Sequence, residues 1–492
     1  MKSGGSFVES IRGSYWPTVM ISLLALSPDF VLSSSLGLLR PTVAQSLDAQ
    51  PGLVFWASIL SNAALALGAV LAADLAQRFR NRPLFMTYEV VFIVGSILGT
   101  FAPSVNFLIV GHTIQGLSTG LLLVASLPPL VTGFPVQRLK TTIPAVVIGL
   151  FGAVTAGPLV GGFVSRTGAW RVLFGATLII GVLTLILALF ALAEKEALNP
   201  GAKVDVSAIV LSISGTGLAF FGVGWLMRSG WGSPGFYVPL AAGLLLLGTL
   251  VVLERFRREA LMPVGPLTTT FPVMGILAAI ISGAVFTGLL ELTILFLEKV
   301  RGLDAWSTGL LFWPTFAAGF VGALVVGAVL TTRWVLTLPL FGMVALTLAA
   351  LLLTGVTSGT SDGLILFVSG ALGLGASLTV TPGLLMAALS VRPALVGRAI
   401  ALVELLRLAS AYAVGPVLVY FAQSYGARLL PGLHIAFWIV VGFMLAGIVV
   451  ITLIYLSGGI RIHPPGLDTF LEEGEPAFDS PPISKRRTPD PE

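Results

Sequence analysis

Residues 170–193 read WRVLFGATLIIGVLTLILALFALA, twenty-four residues whose single charge, Arg171, stands at the start. A helix crosses the hydrocarbon layer of a bilayer with about 20 mostly apolar residues, and this stretch offers water nothing else. Five similar stretches precede it: Tyr15–Leu38, Leu53–Ala72, Pro83–Ala102, Phe107–Val131 and Ile143–Val164. Eight follow: Asp205–Met227, Phe236–Phe256, Phe271–Leu297, Ala305–Leu330, Trp334–Val356, Gly363–Ser390, Leu395–Ala422 and Leu433–Leu456. Polar or Pro/Gly-rich breaks separate them. Composition agrees, with 56% hydrophobic and only 10% charged residues, where a soluble protein carries about 25% charge. A single soluble core stops growing near 250–300 residues, so apolar surface on a 492-residue chain must face lipid. The 57 glycines fit helices that pack through small residues in lipid. The sequence therefore predicts an all-α integral membrane protein with fourteen transmembrane helices.

Several function classes are excluded. With no cysteine there is no disulfide, thiolate metal site or cysteine nucleophile. The three histidines are far apart and form no His-Glu-x-x-His, so no metal is expected. No Gly-x-x-x-x-Gly-Lys-Ser/Thr loop is present to hold ATP. No enzyme signature and no cofactor site emerge. The net charge of +5 does not imply nucleic acid, because cytoplasmic loops of membrane proteins are rich in Lys and Arg. The short polar N-terminus shows no cleaved signal peptide.

An even number of spans puts both termini on one side. With the termini cytoplasmic, the inner segments hold 19 Lys and Arg against 7 outside, with Arg407 left in a span. That bias predicts cytoplasmic termini. The expected organisation is a cytoplasmic N-terminus (1–14), a six-helix bundle (15–193), two inserted helices with their loops (194–270), a second six-helix bundle (271–456) and a tail (457–492). The tail is rich in Pro and charge without periodicity and is expected to be disordered. Its Lys485-Arg486-Arg487 cluster suits either solvent or anionic lipid.

The division into six, two and six rests on a faint repeat. Gly116 precedes Pro128 by the spacing that separates Gly370 from Pro382, and Gly157-Pro158 has a counterpart in Gly415-Pro416. The basic turn at Arg78 answers to Arg333, and all offsets lie near 255 residues. Such repeats place a binding site near the midplane between the halves. The fifth span is richest in these signals, with Gly149, Gly152 and then Gly157-Pro158-Leu159-Val160-Gly161-Gly162. Glycines allow close helix contact, and a proline removes a backbone donor and bends the helix. A bent, tightly packed helix can seal one side of a cavity.

The six-two-six plan, the Gly-Pro run and the Ala169-Trp170-Arg171 after it resemble the major facilitator superfamily, specifically its fourteen-helix drug:proton antiporter group. The resemblance covers nearly all of residues 10–456. It implies two bundles rocking about a central cavity, with Gly149, Gly152, Gly157, Pro158, Gly161 and Gly162 as the antiporter motif. Gln115-Gly116 in helix 4 is similar to the family's Arg-x-x-Gln-Gly, and Pro41-Thr42-Val43-Ala44 after helix 1 to its Pro-Thr-Ile-Ala. Arg301-Gly302 and Arg407 fall where family members carry similar residues. The gating loop after helix 2 keeps its frame through Asp74, Gln77, Arg78 and Arg82, but Gln77 replaces an acid and Arg80 a glycine. His112 stands where an arginine is expected. Leu32 takes the place of a helix 1 aspartate, with Asp29 three residues earlier on roughly the same face.

Charged or titratable groups inside spans are Asp29, Glu89, His112, Glu291, Glu404 and Arg407. Each costs on the order of 2.5–3.5 kcal/mol at mid-bilayer on insertion scales, so it must face a cavity, pair or become neutral. Asp29 leads the proton-coupling candidates, because Ser27, Pro28, Ser33, Ser34 and Ser35 suggest a water-lined face. His112, Glu291 and the i, i+3 pair Glu404 and Arg407 complete the set. Glu89 reads as interfacial, near the cytoplasmic end. Trp225, Phe312, Trp313 and Phe316 are candidate substrate contacts. The expected function is secondary transport, with efflux of amphipathic or cationic small molecules against protons by a monomer in the cell membrane. Two other readings stay open: a same-fold carrier of an endogenous solute such as a lipid, siderophore or amino acid, and a transport-dead sensor or scaffold.

Overall fold

A computed structural model describes residues 12–257, 260–459 and 462–483. Residues 1–11 of the expected N-terminal segment, with Lys2, lie outside the described residues, as do Arg258, Arg461 and the Lys485-Arg486-Arg487 cluster. Among the described residues fourteen helices are long and apolar enough to cross a membrane. They are α1 Tyr15–Ser46, α2 Pro51–Arg78, α3 Asn81–Thr100, α4 Val105–Thr132, α5 Val136–Ser165, α6 Arg171–Ala191 and α7 Val206–Ser229. Then come α8 Pro234–Phe256, α9 Thr270–Val300, α10 Ala305–Val329, α11 Arg333–Leu353, α12 Asp362–Ala388, α13 Pro393–Gln423 and α14 Gly426–Gly458. Each predicted stretch corresponds to one helix. The chain is an all-helical, multi-pass membrane protein.

Several helices outrun their apolar stretches. At 1.5 Å per residue the 32 residues of α1 reach about 48 Å, so Pro41-Thr42-Val43-Ala44 forms its last turns rather than following it. Local chemistry sets several starts. Asp205 caps α7 by accepting from the Ala208 amide, Asp304 caps α10 through Ser307, and Ser361 caps α12 through Leu364.

Two bundles share one packing plan. In α1–α6 the neighbours are α2 with α4, α3 with α4, α1 with α5, α3 with α6 and α1 with α6. In α9–α14 the corresponding pairs are α10 with α12, α11 with α12, α9 with α13, α11 with α14 and α9 with α14. Glycine drives the closest approach: a Cβ at Gly116 of α4 would run into the Ser61 carbonyl of α2. The inserted α7 packs on α8 and also on α2 and α13, one from each bundle. Its Gly224 seats the Trp56 ring, and Phe220 lies 6.1 Å from Tyr412.

Composition predicts a disordered tail from 457, but residues 462–483 are docked beneath the second bundle. The Thr270 amide at the start of α9 donates to the Pro481 carbonyl (3.0 Å), and the Phe271 amide to Ser480 Oγ (2.9 Å). The Ala477 amide donates to the Leu389 carbonyl just after α12 at 2.8 Å. Helix ends carry bare amides and carbonyls that need such partners. Leu467, Phe470 and Phe478 are buried against this end of the bundle, and their contribution outweighs the polar composition. Phe470→Ala should cost about 3–5 kcal/mol. It should lower the thermal midpoint of the purified protein and speed hydrogen exchange at Thr270 and Phe271; unchanged exchange there would remove the tail's capping role.

Candidate functional site

A cavity of about 70 Å³ lies between the two bundles near mid-height. Its two walls differ. The first bundle contributes Phe30 of α1, Leu123 of α4 and Val146, Leu150, Phe151 and Val154 of α5, with Asn62 of α2 as the polar exception. The second bundle contributes Thr287 of α9, Thr381 of α12 and Glu404, Arg407 and Tyr412 of α13, among apolar neighbours that include Phe286. Arg407 donates to Glu404 Oε2 from Nε (3.1 Å) and Nη2 (2.5 Å). The side chain of Arg407 keeps 13% exposure and that of Glu404 5%. The i, i+3 spacing puts both on one helix face, and Gly283 of α9 leaves room for the arginine stem.

The two bundles touch on either side of the cavity. On the face opposite the termini, Gly162 of α5 meets Ala305 and Gly309 of α10, and Gly309 lies on the Pro158 carbonyl. An ion pair between Arg40 of α1 and Glu291 of α9 (3.8 Å) spans the same side, with the Arg40 guanidinium over the Phe55 ring. On the termini face Gly327 of α10 lies against the Lys140 carbonyl, which Pro144 leaves without its helical donor. Gly397 of α13 meets Pro128 and Val124 of α4. The Arg40–Glu291 pair is partly exposed, and such pairs contribute up to about 1 kcal/mol. Arg40→Gln should therefore shift the closed fraction by no more than about fivefold, read as single-cysteine labelling in this cysteine-free chain.

The predicted antiporter motif is a two-sided contact surface. Gly149, Gly157 and Gly161 face α1: Ser27 Oγ donates to the Gly149 carbonyl (2.8 Å) and Ser35 Oγ to that of Gly157 (2.9 Å). Gly152, Pro158 and Gly162 face α10, Gly152 near the Phe316 ring. This corrects the water-lined reading of α1, because its serines pack. Ser34 and Ser35 also donate to their own helix at Phe30 and Val31, and Ser33 bonds His112 Nε2 at 3.3 Å.

Asp29 does not line the central cavity. It is wholly buried inside the first bundle, and Oδ1 lies 3.9 Å from His112 Nδ1. Neither of its carboxylate oxygens has a hydrogen-bond partner among the described residues. His112 Nδ1 donates to Gln115 Oε1 (3.2 Å), and Gln115 Nε2 donates to Ser96 Oγ (2.9 Å) and Thr177 Oγ1 (3.0 Å). Asp29, His112 and Gln115 thus form one buried polar cluster across α1, α3, α4 and α6, and Phe30 links it to the cavity wall. Of the five coupling candidates only Glu404 and Arg407 reach the cavity; Glu291 is engaged by Arg40.

Other expectations are corrected. Glu89 is fully buried beside Gly181 of α6, whose missing side chain makes room for it. None of the four proposed aromatics lines the cavity: Trp225 Nε1 donates to Ser233, Phe312 is core, and Trp313 and Phe316 lie largely exposed on α10. Asn62, Tyr412, Phe30, Phe151 and Phe286 line it instead, and Asn62, polar within an apolar run, was the one legible signal among them. Most of the expected gating loop is the last turns of α2, where Asp74 pairs with Arg78 and Gln77 donates to the Ala73 carbonyl. Arg82 donates to the Leu189 carbonyl at 2.6 Å, and Arg80 pairs with Glu194 and Glu196. The Arg80 and Arg82 contacts tie the turn between α2 and α3 to the end of α6 and the segment after it.

The family model for the Major Facilitator Superfamily matches residues 21–416. The tetracenomycin C resistance and export protein of Streptomyces glaucescens is 28% identical over 328 residues, 66% of this chain and 60% of that protein. The chain therefore spans less than two thirds of that relative. The multidrug resistance protein Stp of Mycobacterium tuberculosis is 26% identical over 74% of this chain and 68% of its own length. A crystal structure of a peptide transporter, POT, in complex with sulfate aligns with a TM-score of 0.63, covering 91% of this chain and 97% of that one at 16% identity, a likeness of fold. With the mirrored bundles and the cavity between them, the match over residues 21–416 means that this chain belongs to the Major Facilitator Superfamily.

Proposed function

We propose that the protein is a secondary active transporter that exports amphipathic small molecules in exchange for protons. It works as a monomer in a cell membrane, with both termini in the cytoplasm. The observation that carries this reading is a cavity between two similarly packed bundles, with contacts between the bundles toward each face. A site at such a position serves alternating access when the bundles rock. The proton's place is Asp29: its carboxylate is buried without a bonded partner, and Phe30, the next residue, lines the cavity. Gain of a proton there changes the cost of holding α1 in place, which moves a cavity wall. The names of the relatives, a resistance and export protein and a multidrug resistance protein, support export. The test is flux of amphipathic dyes by purified protein in proteoliposomes under an imposed pH gradient. Dye movement that collapses with the gradient supports the reading. Absence of flux for every cargo favours the sensor or scaffold reading.

A further inference from the structure

We infer that the termini face carries a second binding site, separate from the central cavity, for a small amphipathic acid: a carboxylate on an apolar group about the size of benzene. A cavity of about 160 Å³ lies there, beside the contact of Gly397 with Pro128 and Val124. Ala72 and Ala76 of α2, Leu84 of α3 and Ala125 and Pro129 of α4 give it an apolar interior, and Ala394 of α13 adds a wall from the second bundle. Apolar cavities near 150 Å³ hold a benzene-sized molecule. The two chains of a phospholipid do not fit in such a volume.

Donors at this cavity lack partners among the described residues. Tyr88 of α3 lines it at only 4% exposure, and its buried hydroxyl has no hydrogen bond. Arg398 of α13 donates from Nη1 to the Ala260 carbonyl (3.2 Å), but its buried Nε is unpartnered. Lys195, in the segment after α6, makes hydrogen bonds only through its backbone, and a Cβ on Gly133 at the end of α4 would stand 3.1 Å from its Nζ. The protein packed there strips water from the Lys195 ammonium and lowers its pKa, a cost that a bound anion offsets. The acids that act on these groups are already engaged. Glu196, at the rim, is held by Arg80 through Nε (3.1 Å) and Nη2 (2.8 Å). Asp74, which acts on Tyr88, pairs with Arg78. Glu254, which acts on Arg398, accepts from the Met262 amide (2.7 Å) and lies 3.7 Å from Arg257. What the cavity lacks is a charged acceptor, and a carboxylate accepts from ammonium, guanidinium and hydroxyl alike. Lys195 stands on the side of the first bundle and Arg398 on the second. A bound acid therefore ties the two across the seam and favours the conformation closed on this face.

The probe is phenylacetate, with 2-phenylethylamine and 2-phenylethanol as its cationic and neutral counterparts. Each is titrated against the purified full chain in nanodiscs by ligand-observed NMR, with empty nanodiscs as the blank. Phenylacetate should bind at least about tenfold more tightly than either counterpart. The Lys195 side chain holds nothing else in place, so Lys195→Gln should fold normally and weaken phenylacetate about tenfold. Tyr88→Phe should weaken it several-fold. Arg398→Gln gives up the Ala260 contact and can misfold, which leaves the charge test to Lys195→Gln. Ala76→Leu fills the cavity and should remove binding. With a single cysteine at Thr287, phenylacetate at about ten times its Kd should slow labelling from the termini face about tenfold. No binding, equal or tighter binding of the amine or the alcohol, binding untouched by Lys195→Gln or by Ala76→Leu, or labelling that does not slow overturns the inference. None of these readouts needs transport. Failure of dye flux leaves this site standing, and failure of phenylacetate binding leaves the export reading untouched.

Discussion

Asp29→Asn is expected to abolish proton-driven efflux while the protein still folds and still binds its cargo. Asparagine has nearly the shape of aspartic acid and imitates its protonated form. The site gives it room to fit, because Asp29 is fully buried and neither oxygen is committed to a hydrogen bond among the described residues. What disappears is the difference between two protonation states, and a proton can shift a conformational equilibrium only through such a difference. Ordinary coupling free energies are about 1–3 kcal/mol, so the factor of about 5–150 by which the gradient drives flux should disappear, leaving the rate seen without a gradient. The measurement is dye efflux from proteoliposomes with and without a pH gradient. If the variant responds to the gradient like the parent, Asp29 is not the coupling group, and His112, 3.9 Å away, becomes the next to test.

Gly162→Leu should trap the protein open on the face opposite the termini. A Cβ at Gly162 would already stand 2.6 Å from the Ala305 carbonyl and 3.1 Å from Gly309 Cα. Backbone cannot yield as a side-chain tip can, so α10 must move away from α5. Overpacking costs about 1–3 kcal/mol, and here the cost falls only on conformations in which this seam is shut. The open form should gain about 5–150-fold in population, with transport lost because one half of the cycle is blocked. Because the chain has no cysteine, one introduced at Thr287 in the cavity reports directly. Its reaction with a membrane-impermeant thiol reagent from that face should speed up accordingly. Unchanged labelling together with lost transport would point to misfolding. Gly116→Val is the comparison for that outcome, since its clash with Ser61 lies inside one bundle and should lower stability without opening the seam.

The fourteen spans were legible because about 20 apolar residues in a row have one sensible solvent. The glycine run of α5 was legible as close packing, but not its partners: a glycine shows that something comes near, not what. The serines of α1 show the limit more sharply. Ser27, Ser33, Ser34 and Ser35 look like a wet face, yet their hydroxyls are met by carbonyls of α1 and α5 and by His112. A hydroxyl satisfied by its own helix is invisible to composition. The cavity was the least legible part. Phe30, Asn62, Phe151 and Tyr412 come from four helices spread over most of the chain, and no local pattern marks them as neighbours. In the tail a few apolar residues, Leu467, Phe470 and Phe478, settled its fate against an otherwise polar composition.

The docked tail also bears on how the protein is made. Thr270, at the first turn of α9, is satisfied by Pro481, 211 residues later. At synthesis rates of about 5–20 residues per second that interval lasts about 10–40 s. Throughout it α9 must sit in the bilayer with its leading amides bare while five more spans are inserted. The second bundle therefore cannot take its final form as its helices emerge, and its completion waits on a segment that never enters the membrane. A variant stopped before Phe470 would carry every span and still lack the contacts that cover this end of the second bundle.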